Sequence, residues 1–427
     1  MVVSFSSPGL RRLVRRAPSG CRRSAAAALA VVAGMVLSAC GLGSDTSVFS
    51  RSLNDDFVGM AAASEPEAAL VARNILRGGG NAADAAVAGS LALAVTYPAG
   101  VSLGAGGRCL VIDGQAGRSG VLEFPAAGAA GVGLPALVRG LAVLHDSYGE
   151  IKWQGLTGPA VRLAGGVAVS RTLAAALAAN SRKLADDPLT AALFLDGSGQ
   201  PLQEGDRLVQ PALRRILGQI QFESGGILYT GQSGRTLALT LRDMGLAVTA
   251  ADLAAVQATW GAASAAGAVD GRLRWLAAGQ ATGAAATGTR HSGGGIVTAD
   301  GSGMVVVCGL SLGAPFGTGV TVPDWGFLLA EPAVTTSGTT ALAAELSDSA
   351  RTVYSAVAVI GDAAAAERAQ GLLARLGDGA PAAAALAATV TAATQAVAFH
   401  CPDGVASRAA PCAIAADPPG LALLDRR

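Results

Sequence analysis

Residues 286–313 read ATGTRHSGGGIVTADGSGMVVVCGLSLG. Small and polar residues give way at Arg290-His291-Ser292 to Gly293-Gly294-Gly295, and apolar, largely β-branched runs then flank Asp300-Gly301-Ser302-Gly303. An Asp/Gly/Ser cluster between two such runs predicts a β-hairpin. Ser292 thus stands at the head of a strand, behind a cationic pair and ahead of three glycines. Its hydroxyl is a nucleophile, a turn residue, or the remnant of a site that has lost its chemistry.

Upstream, EPEAALVARNILR (65–77) places apolar residues at helical spacing, with Ser64 as the expected N-cap, Pro66 in the first turn and three glycines as the stop. Asn81 caps the next helix, NAADAAVAGSLALAVT, which is apolar nearly all round and therefore buried. Tyr97-Pro98 ends it, and VSLGAGGRCLVID is a glycine turn feeding a strand. The order helix, glycines, strand is the reverse of a dinucleotide fingerprint. From Gly133 to about Met244 the pattern is mostly helical, and Ala251 to Leu273 is unclear. Downstream of the hairpin, RTVYSAVAVIGD predicts a strand, and AAAERAQGLLARL and PAAAALAATVTAATQAV predict closing helices. Sheets covered by helices, an α+β architecture, follow from this order.

Composition narrows the function. The chain has 427 residues, 51% of them hydrophobic, enough to bury a substantial core. A net charge of +1, two lysines (Lys152 and Lys183) and no basic run in the body exclude a nucleic-acid footprint. No CxxC or His-rich spacing points to a metal, and no cofactor motif stands out. His145 and His400 are isolated in sequence and read as structural or surface residues.

The N-terminus has the layout of a secretory signal: the basic RRLVRRAPSGCRR, a short apolar stretch, then Leu37-Ser38-Ala39-Cys40. Those four residues resemble a bacterial lipobox, in which the cysteine is acylated; an ordinary signal or a retained anchor is the other reading. Residues 1–39 are then the signal and 40–57 a tether. Gly41 after the cysteine leans toward an outer-membrane lipoprotein facing the periplasm. Export makes a disulfide between Cys401 and Cys412 the expected state of the polar HCPDGVASRAAPC tail. Cys109 and Cys308, in strand-like runs, read as small buried apolar residues.

Residues 60–113 resemble the N-terminal signature of γ-glutamyltranspeptidases, with their entry helix, Gly-Gly-Asn-Ala-x-Asp-Ala turn, buried helix and glycine-rich loop. The similarity continues in GLPALVRGLAVLHDSYG, LTGPAVRLAGGVAVSRTLAAALA, FLDGSGQPLQEGDRLVQPAL and LYTGQSGRTLALTLRDMG, and resumes in TADGSGMVVVCGLSLGAPFGTGVTVPDWGFLL. The resemblance implies an N-terminal nucleophile hydrolase: a four-layer αββα sandwich made as a precursor that cuts itself into two subunits. Residues 58–290 would form the large-subunit-like region and 291–427 the small one, joined in a self-cleaved heterodimer. Cleavage frees a hydroxyl residue whose own α-amino group, with a pKa near neutrality, serves as general base. A γ-glutamyl or related small amide is the implied substrate.

Several positions depart from the family pattern. Counting back from Thr298-Ala299-Asp300-Gly301 places the nucleophile at His291 or Ser292; Ser292 carries a suitable hydroxyl, Thr289 needs a register shift, and the absence of any nucleophile is the third possibility. The family's arginine for the substrate carboxylate falls where Glu123-Phe124-Pro125 has none, leaving Arg108 as a candidate replacement. Ser311-Leu312-Gly313 keeps a hydroxyl and loses an amide, Glu331 stands in the segment for the α-amino group, and Gly361-Asp362 keeps one glycine of the oxyanion pair. Two main functions compete: a lipid-anchored amide hydrolase or acyltransferase with altered specificity, and an inactive member acting as an envelope binding or scaffold protein. A solute-binding lipoprotein fits the export signal alone.

Overall fold

A computed structural model describes residues 57–269, 271–278, 292–332, 340–349, 351–361, 364–391, 394–405, 412–417 and 422–426. The signal, the lipobox with Cys40, Thr289 and His291 lie outside the described residues.

The first half of the chain contributes β1 (Phe57–Ala63), α1 (Pro66–Arg77), α2 (Ala82–Thr96), β2 (Gly106–Asp113), β3 (Arg118–Phe124), α3 (Leu137–Tyr148), α4 (Trp153–Ala164) and α5 (Pro211–Glu223). It is followed by β4 (Thr259–Gly261), β5 (Ser264–Val269), β6 (Arg272–Ala278), β7 (Ser292–Asp300) and β8 (Met304–Gly313). The remaining elements are β9 (Thr340–Ser347), β10 (Val353–Ile360), α6 (Ala365–Gly377), α7 (Ala382–Ala387), β11 (Gln395–His400), β12 (Ala413–Asp417) and β13 (Ala422–Arg426). One antiparallel sheet runs β13-β1-β7-β8-β2-β3-β4, the other β12-β11-β10-β9-β6-β5.

Three apolar clusters separate four layers. Helices α1, α2 and α3 cover the outer face of the first sheet, with Leu91 and Leu137 in one cluster with Ile296 of β7, and α4 and α5 lie behind them. Leu110, Val297, Leu342 and Val397 fill the space between the sheets, and Leu372 and Leu373 of α6 cover Val357 and Val359 of the second. The αββα sandwich follows from strand alternation, since successive side chains of β7 face the helices and the second sheet in turn.

The predicted hairpin is β7–β8, and its turn is tied into the helical layer. Asp300 accepts through Oδ1 from the backbone N–H groups of Ser302 (2.8 Å) and Met304 (3.2 Å), and through Oδ2 from that of Ala82 (2.9 Å), in the first turn of α2. Asn81 and Asp84 form a capping box at the same helix end. Every residue of α2 is buried.

Three expectations need correction. Glu65, not Ser64, caps α1, accepting from the Glu67 N–H at 3.1 Å; the Ser64 hydroxyl instead accepts from the Gly295 N–H at 2.9 Å, fastening β1 to β7. The last predicted helix stops at Ala387, and Gln395–His400 forms β11, because a slot beside β10 selects the alternating QAVAFH. Cys109 and Cys308 are not separate thiols. They are directly opposite in the β2–β8 ladder and joined by a disulfide, as their cross-strand register brings the two sulfurs together. A second disulfide joins Cys401 to Cys412.

Candidate active site

Strand β7 is an interior strand of the first sheet, third of seven, paired with β1 on one side and β8 on the other. Its first residue, Ser292, lies across from Gly313, the last residue of β8, with a bulge before Gly293. The three glycines are strand residues without room for a side chain. A β-carbon on Gly293 would lie 2.4 Å from the Leu310 carbonyl oxygen and 2.5 Å from Cγ2 of Ile360. One on Gly294 would lie 2.8 Å from Cγ2 of Val101, and one on Gly295 2.8 Å from Cγ2 of Val397. The head of β7 is therefore wedged between the α2–β2 loop and the second sheet.

Around it the chain gathers several of the residues singled out by sequence. Ser311 pairs with Gly293, is buried, and accepts from the Gly313 N–H at 2.9 Å. Gly361 follows Ile360, the residue packed on Gly293, at the end of β10. Glu331 donates its backbone N–H to the Leu312 carbonyl at 2.9 Å, which sets it behind the end of β8. Its carboxylate lies 3.7 Å from Nζ of Lys183, and that ammonium also donates to the carbonyls of Pro315 (3.0 Å) and Gly317. Burial holds the lysine below its ordinary pKa, opposed by the charge of Glu331. The lysine thus clamps the loop that follows β8.

Arg108 is elsewhere. In the strand ladders it stands level with Gly295 but two strands away, through Gly309. Its guanidinium donates to Oε1 of Glu123 at 2.7 Å and to the Ala277 carbonyl at 3.2 Å, bridging the two sheets. Burial lowers its pKa while Glu123 opposes the shift. Both ends of this pair come from the first sheet, so the arginine is engaged before any substrate arrives.

Sequence reasoning missed two features. The Cys109–Cys308 bond is one, although two cysteines in strand-like runs of a chain expected to be exported were a usable signal. The other is Gln395, at the first position of β11 and paired with Ile360, which was hidden inside a predicted helix. Of the isolated histidines, His145 bonds to the Ile151 carbonyl at 2.8 Å and packs edge-on against Trp153, while His400 bonds to the Ser355 hydroxyl at 2.8 Å. Neither touches the head of β7. Clefts of about 370 and 510 Å³ beside α5 are lined by none of the residues around Ser292.

Comparison with known proteins agrees with this architecture. The family model described as Gamma-glutamyltranspeptidase matches residues 68–126 and 118–287. A glutathione hydrolase proenzyme of Bacillus subtilis (strain 168) is 31% identical over 223 residues, 46% of this chain and 37% of that protein. An acylase ACY 1 proenzyme of Pseudomonas sp. (strain SE83) is 33% identical over 226 residues, 46% of this chain and 40% of that protein. The matches span less than half the length of these curated relatives. The crystal structure of a cephalosporin acylase from Bacillus halodurans superposes with a TM-score of 0.68 over 84% of this chain and 96% of that one, at 17% identity, a likeness of fold. The family match runs from residue 68 to residue 287, just over half of the 427 residues, and on it this chain belongs to the γ-glutamyltranspeptidase family.

Proposed function

We propose that the protein is an amide hydrolase or acyltransferase that cuts itself between His291 and Ser292 and then works through the freed Ser292. In self-cleavage the serine Oγ adds to the His291 carbonyl carbon, the C–N bond breaks as the nitrogen takes the hydroxyl proton, and an ester forms. Water hydrolyses that ester to a His291 carboxylate, restoring the hydroxyl beside a new α-amino group. The amine, with a pKa near neutrality, then takes the hydroxyl proton as Oγ attacks a substrate amide and passes it to the departing amine. Water or a second amine completes the transfer from the acyl ester.

The observation that carries this reading is the position of Ser292 at the head of an interior strand of the first sheet, above three glycines that the packing requires. In this reading a backbone N–H at Gly361 meets the developing oxyanion, and Ser311 and Glu331 line the acyl pocket. Specificity is altered relative to γ-glutamyl substrates: Pro125 stands where the family pattern has an arginine, and Arg108 is already bound to Glu123. Disulfides fit an oxidising compartment, which supports export, and the lipobox supports anchoring of the mature chain to the envelope membrane through Cys40. Purified protein run on a reducing denaturing gel tests the reading, with N-terminal sequencing of the smaller fragment to separate Ser292 from Thr289. A single uncut chain that forms no ester adduct with an acyl-site inhibitor leaves the scaffold role in its place.

A further inference from the structure

β11 and β7 run in the same direction on facing sheets. Gly293 packs on Ile360, Gly295 packs on Val397, and Ile360 and Ala358 pair with Gln395 and Val397. Gln395 is therefore level with Gly293, one residue past Ser292. Val397 and Phe399 point into the space between the sheets, and strand alternation turns Gln395 the same way.

Its amide is held from one side. Nε2 donates to the Tyr97 hydroxyl at 2.7 Å, and the Tyr97 ring lies against Gly100, which packs on the Gly293 carbonyl. The other end, Oε1, is shut off from solvent and has no hydrogen-bond partner among the described residues. A buried amide oxygen without a donor is costly unless something supplies an N–H. Gly313, across from Ser292, has no side chain with which to orient a neighbour.

We propose that Gln395 is a positioning residue of this site, its Oε1 accepting a hydrogen bond from the α-amino group that cleavage frees on Ser292. The inference rests on the proposed nucleophile. An amine that is to take the serine proton must turn its lone pair toward Oγ, and an acceptor for one of its N–H groups fixes that rotation. The same acceptor favours the ammonium form. Titratable groups nearby are Tyr97 at the end of α2, Glu65 at the end of β1 and the Glu331–Lys183 pair behind β8, while the ends of β10 and β11 present the uncharged Gly361 and Gln395. These stay constant when Gln395 alone is changed.

The test uses the full chain with Gln395→Leu and Gln395→Glu. Reducing gels first establish that parent and variants are cut. The Ser292 amine is then titrated without reliance on turnover, by trace acetylation with acetic anhydride between about pH 5 and 9 and mass spectrometry of the N-terminal peptide of the small fragment. The leucine variant is expected to lower the titration midpoint by about 0.5–1 unit and the glutamate variant to raise it by a similar amount. Hydrolysis of p-nitrophenyl acetate, an activated acyl donor that needs no γ-glutamyl recognition, is expected to lose about 10–100-fold in kcat with Leu, at little change in KM, and to recover in part with Glu. Should the leucine variant fail to fold, the near-isosteric glutamate variant carries the test. Cut variants whose midpoints match the parent overturn this inference alone; an uncut parent overturns it together with the assignment of Ser292.

Discussion

Arg108 and Glu123 face each other across β2 and β3, with Nη2 of the arginine 2.7 Å from Oε1 of the glutamate. The arginine side chain is 2% exposed and the glutamate 48%, so the carboxylate is the solvent-facing partner of a buried cation. Glu123→Ala is expected to destabilise the fold by about 1–3 kcal/mol, below the cost of breaking a fully buried pair because water reaches the vacated end. Urea denaturation measures this. A variant as stable as the parent would mean that the guanidinium does not depend on Glu123.

The glycines at the head of β7 make a sharper prediction. Gly293→Ala must displace the backbone carbonyl of Leu310, whereas Gly295→Ala meets the side chains of Val397 and Ile360, which can shift. Overpacking of this kind costs about 1–3 kcal/mol, and Gly293→Ala should be the worse of the two. Thermal unfolding of both variants checks the order. Equal or negligible losses would contradict the described packing.

Legibility differed between the two sheets. The β7–β8 hairpin, α1 and α2 could be read because Gly, Asn and Asp punctuate them and their apolar periodicity is clear. Most of the second sheet could not. SAAGAV, TALAAELS and QAVAFH are rich in alanine, whose intrinsic preference is helical; TALAAELS and QAVAFH become strands because neighbouring layers bury them, and SAAGAV is an exposed edge strand held by its pairing with β6. The position of Ser292 was therefore legible and that of Gln395 was not. Arg108 stood out in the sequence only as a candidate for the substrate carboxylate; its pairing with Glu123 depends on the β2–β3 register, which no local pattern specifies.

Glu65 provides a pH test. Its buried carboxyl is raised from an ordinary 4.5 to about 7, chiefly by burial, against hydrogen bonds from Ser170 and the Glu67 N–H, with the charge of Glu67 adding to the rise. Between those values the folded chain holds more protons than the unfolded one, so this group's contribution is most favourable below about pH 4.5 and is lost as the pH rises through 7. Glu65→Gln is expected to flatten that part of the stability profile and to be the more stable protein at about pH 8, by about 1–3 kcal/mol. Denaturation of parent and variant at both ends of the window reports the difference. Identical slopes would contradict it.

The disulfide between Cys109 and Cys308 changes how self-cleavage must be observed. The two cysteines lie on opposite sides of the His291–Ser292 bond, so cleavage there leaves the fragments covalently joined. Purified protein is predicted to run as one full-size band without reductant and as two bands with it, the smaller beginning at Ser292. Ser292→Ala is predicted to give one band under both conditions. A parent chain that stays whole under reducing conditions would contradict the central claim that Ser292 is an N-terminal nucleophile.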